Sequence, residues 1–131
     1  MDVLPGVAFQ AALGVAQQEK KFEIRAVHTE GHALIIRQKT KALSWPKVIM
    51  LRAHQNGQGS AVNVLVQNIP GSPSALLDGV ANGKIAEKYL TAIKGVLAGT
   101  ITAPATPVSS HFIRDDGSEH PWTDPEEVPE F

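Results

Sequence analysis

Residues 46–68 read PKVIMLRAHQNGQGSAVNVLVQN. Apolar, β-branched runs flank the cluster Gln55-Asn56-Gly57-Gln58-Gly59. Asn-Gly supplies residues that tolerate the positive φ of a tight turn. Each flanking run has the length of a strand. The stretch therefore predicts a β-hairpin, with strands over residues 47–54 and 60–67. Alternation then divides the side chains between two faces. Ile49, Leu51, Ala53, Val62, Val64 and Val66 point to a core. Val48, Met50, Arg52, His54, Ala61, Asn63, Leu65 and Gln67 point away from it.

The rest of the chain is arranged about this hairpin. Residues 22–28 alternate, with Phe22, Ile24, Ala26 and His28 on one side and Glu23, Arg25 and Val27 on the other. Thr29-Glu30-Gly31 reads as a turn into a further strand over 32–40 that carries Leu34-Ile35-Ile36. Pro46 cannot donate a ladder bond and suits the start of a strand. Upstream, Phe9, Ala12, Leu13 and Ala16 recur at helical spacing within residues 5–17, and Pro5 fits near a helix start. Downstream, Ile85, Tyr89, Ile93 and Val96 mark one face of a helix over 80–98, with Asp78 a candidate N-cap and Gly99 a candidate C-terminal stop. The predicted fold is α+β in two layers. A helix, a four-stranded antiparallel meander and a second helix follow one another, with both helices on one face of the sheet.

Charge divides the 131 residues in two. Residues 1–99 hold 11 Lys and Arg against 6 Asp and Glu, whereas residues 100–131 hold one Arg against 7 acids. The predicted organisation is a basic α+β domain over 1–99 and an acidic tail over 100–131. The tail carries five of the nine prolines. It shows no periodicity, and is expected to be extended or disordered unless it docks. The absence of cysteine excludes disulfides and thiolate metal sites. No apolar run reaches the length of a membrane span. The opening MDVLPGVAFQ lacks the pattern of a signal peptide, so the default placement is cytoplasmic.

The predicted outer sheet face mixes Arg25, Arg37, Lys39 and Arg52 with Val27, Ile35, Val48, Met50 and Leu65. A contiguous apolar patch on a sheet marks an interface. The tail offers complementary chemistry: seven acids interleaved with Phe112, Ile113, Trp122 and Phe131. The leading expectation is a non-catalytic interaction module. Arg25, Ile35, Arg37, Val48, Met50, Arg52 and Leu65 would receive Trp122 of the tail, a protein partner, or a second copy in a homodimer. The alternative is a domain for a small apolar ligand or lipid, held where Gly79, Ala81 and Gly83 leave room between the second helix and the sheet. The arginines could also track phosphates, but only seven aromatics are present for stacking bases, which disfavours nucleic acid.

Other motifs carry less. His28 and His32 stand four apart, but on a predicted turn and without the Glu of a zinc-helix motif, so they read as exposed hairpin histidines and no metal site is assigned. Gly79-Val80-Ala81-Asn82-Gly83-Lys84 is one residue short of a phosphate loop and lacks its Ser or Thr. Ser109, Ser110, His111, Asp115 and Asp116 are triad residue types in a tail with nothing rigid to orient them. No cofactor motif or nucleophile motif appears, and the chain is read as not an enzyme.

Phe9-x-x-Ala12-Leu13, the pair Ser44-Trp45, Gly59-Ser60-x-Val62-x-Val64, and Leu77-Asp78-Gly79 followed by Lys84 resemble a loose group of small bacterial proteins. These share a leading helix, a meander and a closing helix. The resemblance spans residues 5–98, and Pro46 departs from the small or polar residue expected there. It implies the fold and no activity. The layout also resembles a truncated helix-grip domain, in which a long helix and a curved sheet enclose a lipid pocket; fold analogy alone assigns no function.

Overall fold

The computed structural model describes residues 1–39, 46–68 and 78–131, and the side chains of residues 78–81 lie outside this described set. Eight elements follow in order: α1 (Pro5–Gln18), β1 (Phe22–His28), β2 (Ala33–Gln38), β3 (Lys47–Asn56), β4 (Gly59–Asn68), α2 (Asp78–Leu97), β5 (His111–Ile113) and β6 (Glu119–His120). The fold is α+β, with two helices on an antiparallel sheet of six strands in the order β4-β3-β2-β1-β5-β6.

The β3–β4 hairpin pairs Asn56 with Gly59 around a two-residue loop. Gly57 takes φ +61° and Gln58 keeps a negative φ, so the glycine is the first loop residue, as in a type II′ turn. Asn56 is thus the last residue of β3. The pairing Ile49↔Val66, Leu51↔Val64 and Ala53↔Val62 puts these residues on one face. Phe9 and Leu13 of α1 and Tyr89 and Ile93 of α2 meet them there. Tyr89 donates its hydroxyl to the Ala12 carbonyl at 2.7 Å, which ties the helices together, and burial pushes its phenol pKa up. Gly14 faces the backbone of the returning chain: a Cβ there would lie 1.9 Å from the Ala103 oxygen, so only glycine permits the approach. Gly99 (φ +80°) ends α2, as its position predicts.

β1 departs from simple alternation. Ile24 faces Ile36 and Ala26 faces Ile35, so Arg25 is an extra residue, a β-bulge. Beyond it every side chain changes face. Val27, expected outside, packs in the helical core, while Ala26 belongs to the cluster on the opposite face. His28 goes with it. The expectation of an exposed histidine is corrected here: His28 is buried, with its ring edge-on to Trp122.

Residues 100–131 lie docked along the body. Gln17 and Thr106 exchange two hydrogen bonds. β5 then pairs with β1 through Ala26↔Phe112 and Val27↔His111. A turn through Gly117 (φ +86°) leads into β6. The sheet has six strands rather than four because this segment supplies the last two.

Candidate functional site

The outer face of the sheet, away from the helices, carries a second apolar cluster. Ala26, Ala33 and Ile35 form its floor, with Val48, Met50 and Phe112 around it. Trp122 packs on this floor and is only 6% exposed. Its indole N–H donates to the Asp124 and Glu127 carbonyls at 2.8 and 2.9 Å, which satisfies the polar atom and curls the segment over the ring. His28 braces it from the sheet. The Gly31 N–H donates to Nδ1 at 2.8 Å, so in the neutral ring Nε2 carries the proton and donates to the Thr123 carbonyl at 3.0 Å. The β1–β2 loop that holds this geometry is tight. His32 adopts φ +54°, and a Cβ on Gly31 would fall 2.6 Å from Pro125.

Arg25 is the second anchor, and the bulge is what aims it. Its Nε and Nη2 donate to the Ile113 carbonyl at 3.2 and 2.9 Å, Nη2 reaches Asp115 Oδ1 at 3.0 Å, and the Phe131 ring lies 5.4 Å from its guanidinium carbon. Arg37 adds a contact to the same carboxylate oxygen at 3.3 Å. The Arg25 hydrogen bond, seconded by the charge of Arg37, holds the Asp115 carboxyl below the ordinary carboxylate range. Asp116 is held low as well, by hydrogen bonds from the Ser118 hydroxyl and amide. Arg52 pairs with Glu126 at 2.5 Å near the rim. Acids of the tail thus meet three arginines of the sheet, and aromatic rings fill the space between.

The structure brings Arg25, Ile35, Arg37, Val48, Met50, Arg52 and Trp122 together in this region. Leu65 lies toward the far side, 53% exposed, beside a cleft of about 210 Å³ that it shares with Met50, Trp122, Pro125 and Val128. Sequence reasoning missed Ala26 and His28, whose face the bulge in β1 reverses, as well as Ala33, which shares the face of Ile35 by alternation, and the seating of Phe112 and Phe131 on the sheet.

The residues named for an apolar ligand stand elsewhere. Gly79, Ala81 and Gly83 are all in α2; Gly83 faces open space, and the side chains at 79–81 fall outside the described residues. A cavity of about 100 Å³ does lie between α2 and the sheet, lined by Val15, Phe22, Ile85, Lys88 and Tyr89. The triad residue types in the tail are engaged structurally: Ser110 Oγ accepts the Thr29 N–H at 2.9 Å, His111 Nδ1 sits 2.7 Å from the Ser109 carbonyl, and Asp115 holds Arg25. Among the described residues, no three His, Asp or Glu are grouped to hold a metal ion, and no helix is long and apolar enough to cross a membrane. Comparison of the chain with protein-family models, curated proteins and solved structures gave no match.

Proposed function

We propose that the protein is a non-catalytic interaction module, and that its outer sheet face is a platform for an acidic segment with an aromatic anchor. The observation that carries this reading is Trp122. It fills an apolar floor framed by Arg25, Arg37 and Arg52, and acids on either side of it in sequence, Asp115 and Glu126, meet those arginines. A deeply seated Trp with charged pairs at the margin has the anatomy of an interface hot spot, here filled from within the same chain. Exposed ion pairs contribute only about 0–1 kcal/mol each, so the aromatic contacts supply the hold and the charges supply the register. A partner segment of similar chemistry would compete with residues 111–131 for the face. Because the tail is tethered, its effective concentration is in the mM range, which sets a high threshold for displacement.

The test uses the full chain with Trp122→Ala and a labelled peptide of residues 110–131. The peptide should bind the variant and bind the wild type far more weakly, as read by fluorescence anisotropy. Equal, negligible binding to both would identify the tail as a fixed structural layer and remove the reading. The second reading, a domain for a small apolar ligand, would rest on the cleft beside Leu65 and Val128. It requires a thermal shift with short-chain hydrophobes that Leu65→Lys abolishes.

A further inference from the structure

The two edges of the sheet are built differently. β6 is two residues long, includes Glu119, and runs into Pro121. Shortness, charge and proline are the usual means of blunting an edge. β4, at the other edge, is ten residues long and contains neither a charged residue nor a proline. At its start the edge is already in use. Met1 N donates to the Ser60 carbonyl at 2.8 Å and the Ser60 N–H donates to the Met1 carbonyl at 2.9 Å. This reciprocal pair is the antiparallel ladder geometry, and it fixes which way the β4 backbone points. Residues of the same parity, Val62, Val64 and Val66, likewise turn their N–H and C=O away from β3. Among the described residues, nothing bonds to these groups. Beside them the outer face exposes Leu65 at 53% and, across the cleft, Val128 at 59%.

We propose that this edge joins two copies of the chain, β4 against β4 in antiparallel register about a two-fold axis at Leu65. Val64 of each copy would exchange main-chain hydrogen bonds with Val66 of the other, and the two Leu65 side chains would meet across the axis, covering apolar surface that is otherwise wet. The strand is self-complementary in the required sense: uncharged throughout, alternating, and open over the same residues in both copies. Met1 bounds the free stretch at one end and stays where it is. The tail also stays on the outer face, so this contact is independent of the docking reading and does not compete with it.

The experiment is sedimentation equilibrium of the full chain over a wide dilution series, with two variants. Leu65→Lys places like charges opposite one another at the axis. Val64→Pro removes an outward N–H that the β3 ladder does not use, a position where an edge strand accepts proline. The wild type should show the dimer mass and both variants the monomer mass, with circular dichroism unchanged in Leu65→Lys. Amide exchange of Val64 and Val66 in the wild type should slow as concentration rises. A wild type that is monomeric throughout overturns the proposal, and so does a dimer that survives both substitutions. If either variant fails to fold, the wild-type exchange data decide: protection of these amides that does not change with concentration also overturns it.

Discussion

The two faces of the sheet are covered in different ways. The inner face is roofed by two helices whose buried residues, among the described residues, are almost all apolar, joined by a buried hydrogen bond from Tyr89 to Ala12. The outer face is roofed by one extended segment that combines a seated Trp, two Phe rings and ion pairs to Arg25, Arg37 and Arg52. A helix satisfies its own backbone and can cover a face by packing alone. An extended segment cannot, so it must bond to what it covers: β5 to β1, Thr123 and Ser110 to the β1–β2 turn, Ile113 to Arg25. The inner face should therefore fail globally and the outer face locally, because a strap held at discrete points can lift while the rest of the sheet persists.

The largest effect expected is on the inner side. Phe9→Ala leaves a cavity between α1 and the sheet and should cost roughly 3–5 kcal/mol, seen as a lower urea midpoint with every probe moving together. Trp122→Ala deletes a comparably buried ring, but its cost is capped at the free energy of holding the tail down and should fall below that of Phe9→Ala. Amide exchange should rise in β5, β6 and the Trp122 segment while β3 and β4 keep their protection. Adding Arg25→Ala should cost little more, since an undocked tail has nothing further to lose. Uniform exchange across all six strands would show that both faces belong to one cooperative unit. The smallest effect is a pH dependence. The folded-state pKa of Asp115 lies below the ordinary value of about 3.9, so the stability it contributes is complete above that value and is lost as the pH falls through the folded-state pKa. Asp115→Asn should reduce the acid sensitivity of tail protection below about pH 4 and leave the core unaltered.

The inner face was legible in the sequence because helices and strands announce themselves by period. Of the residues expected in one core, Phe9, Leu13, Ile49, Leu51, Val66, Tyr89 and Ile93 form one buried cluster, and Phe22, Ile24, Val62, Val64 and Ile85 pack against it, partly buried. The outer face was legible only in part. Strict alternation put Arg25 outside, but no local signal marks it as the extra residue. A bulge is a property of the pairing of β1 with β2, and the strand that suffers it reads like any other. Tested by its own composition, the tail is too polar to fold alone. That test is the wrong one for a segment that buries its aromatics against surface another region supplies. A signal was present: Asp115-Asp116-Gly117-Ser118 stands between His111-Phe112-Ile113 and Glu119-His120, turn residues between two short runs, and Gly117 has the positive φ such a turn requires.

Strand order also sets a sequence in time. β1 is among the first elements synthesised, yet its neighbour β5 and the ring that packs on Ala26 and Ile35 come from residues 111–122. At translation rates of ~5–20 residues per second, residues 100–131 take roughly 2–6 s to follow the body. Until residues 111–122 arrive, the outer edge of β1 has no partner and the apolar floor faces water. A nascent chain paused there presents both an edge and a sticky face, which is the state in which a chaperone, or a neighbouring nascent chain, would meet it.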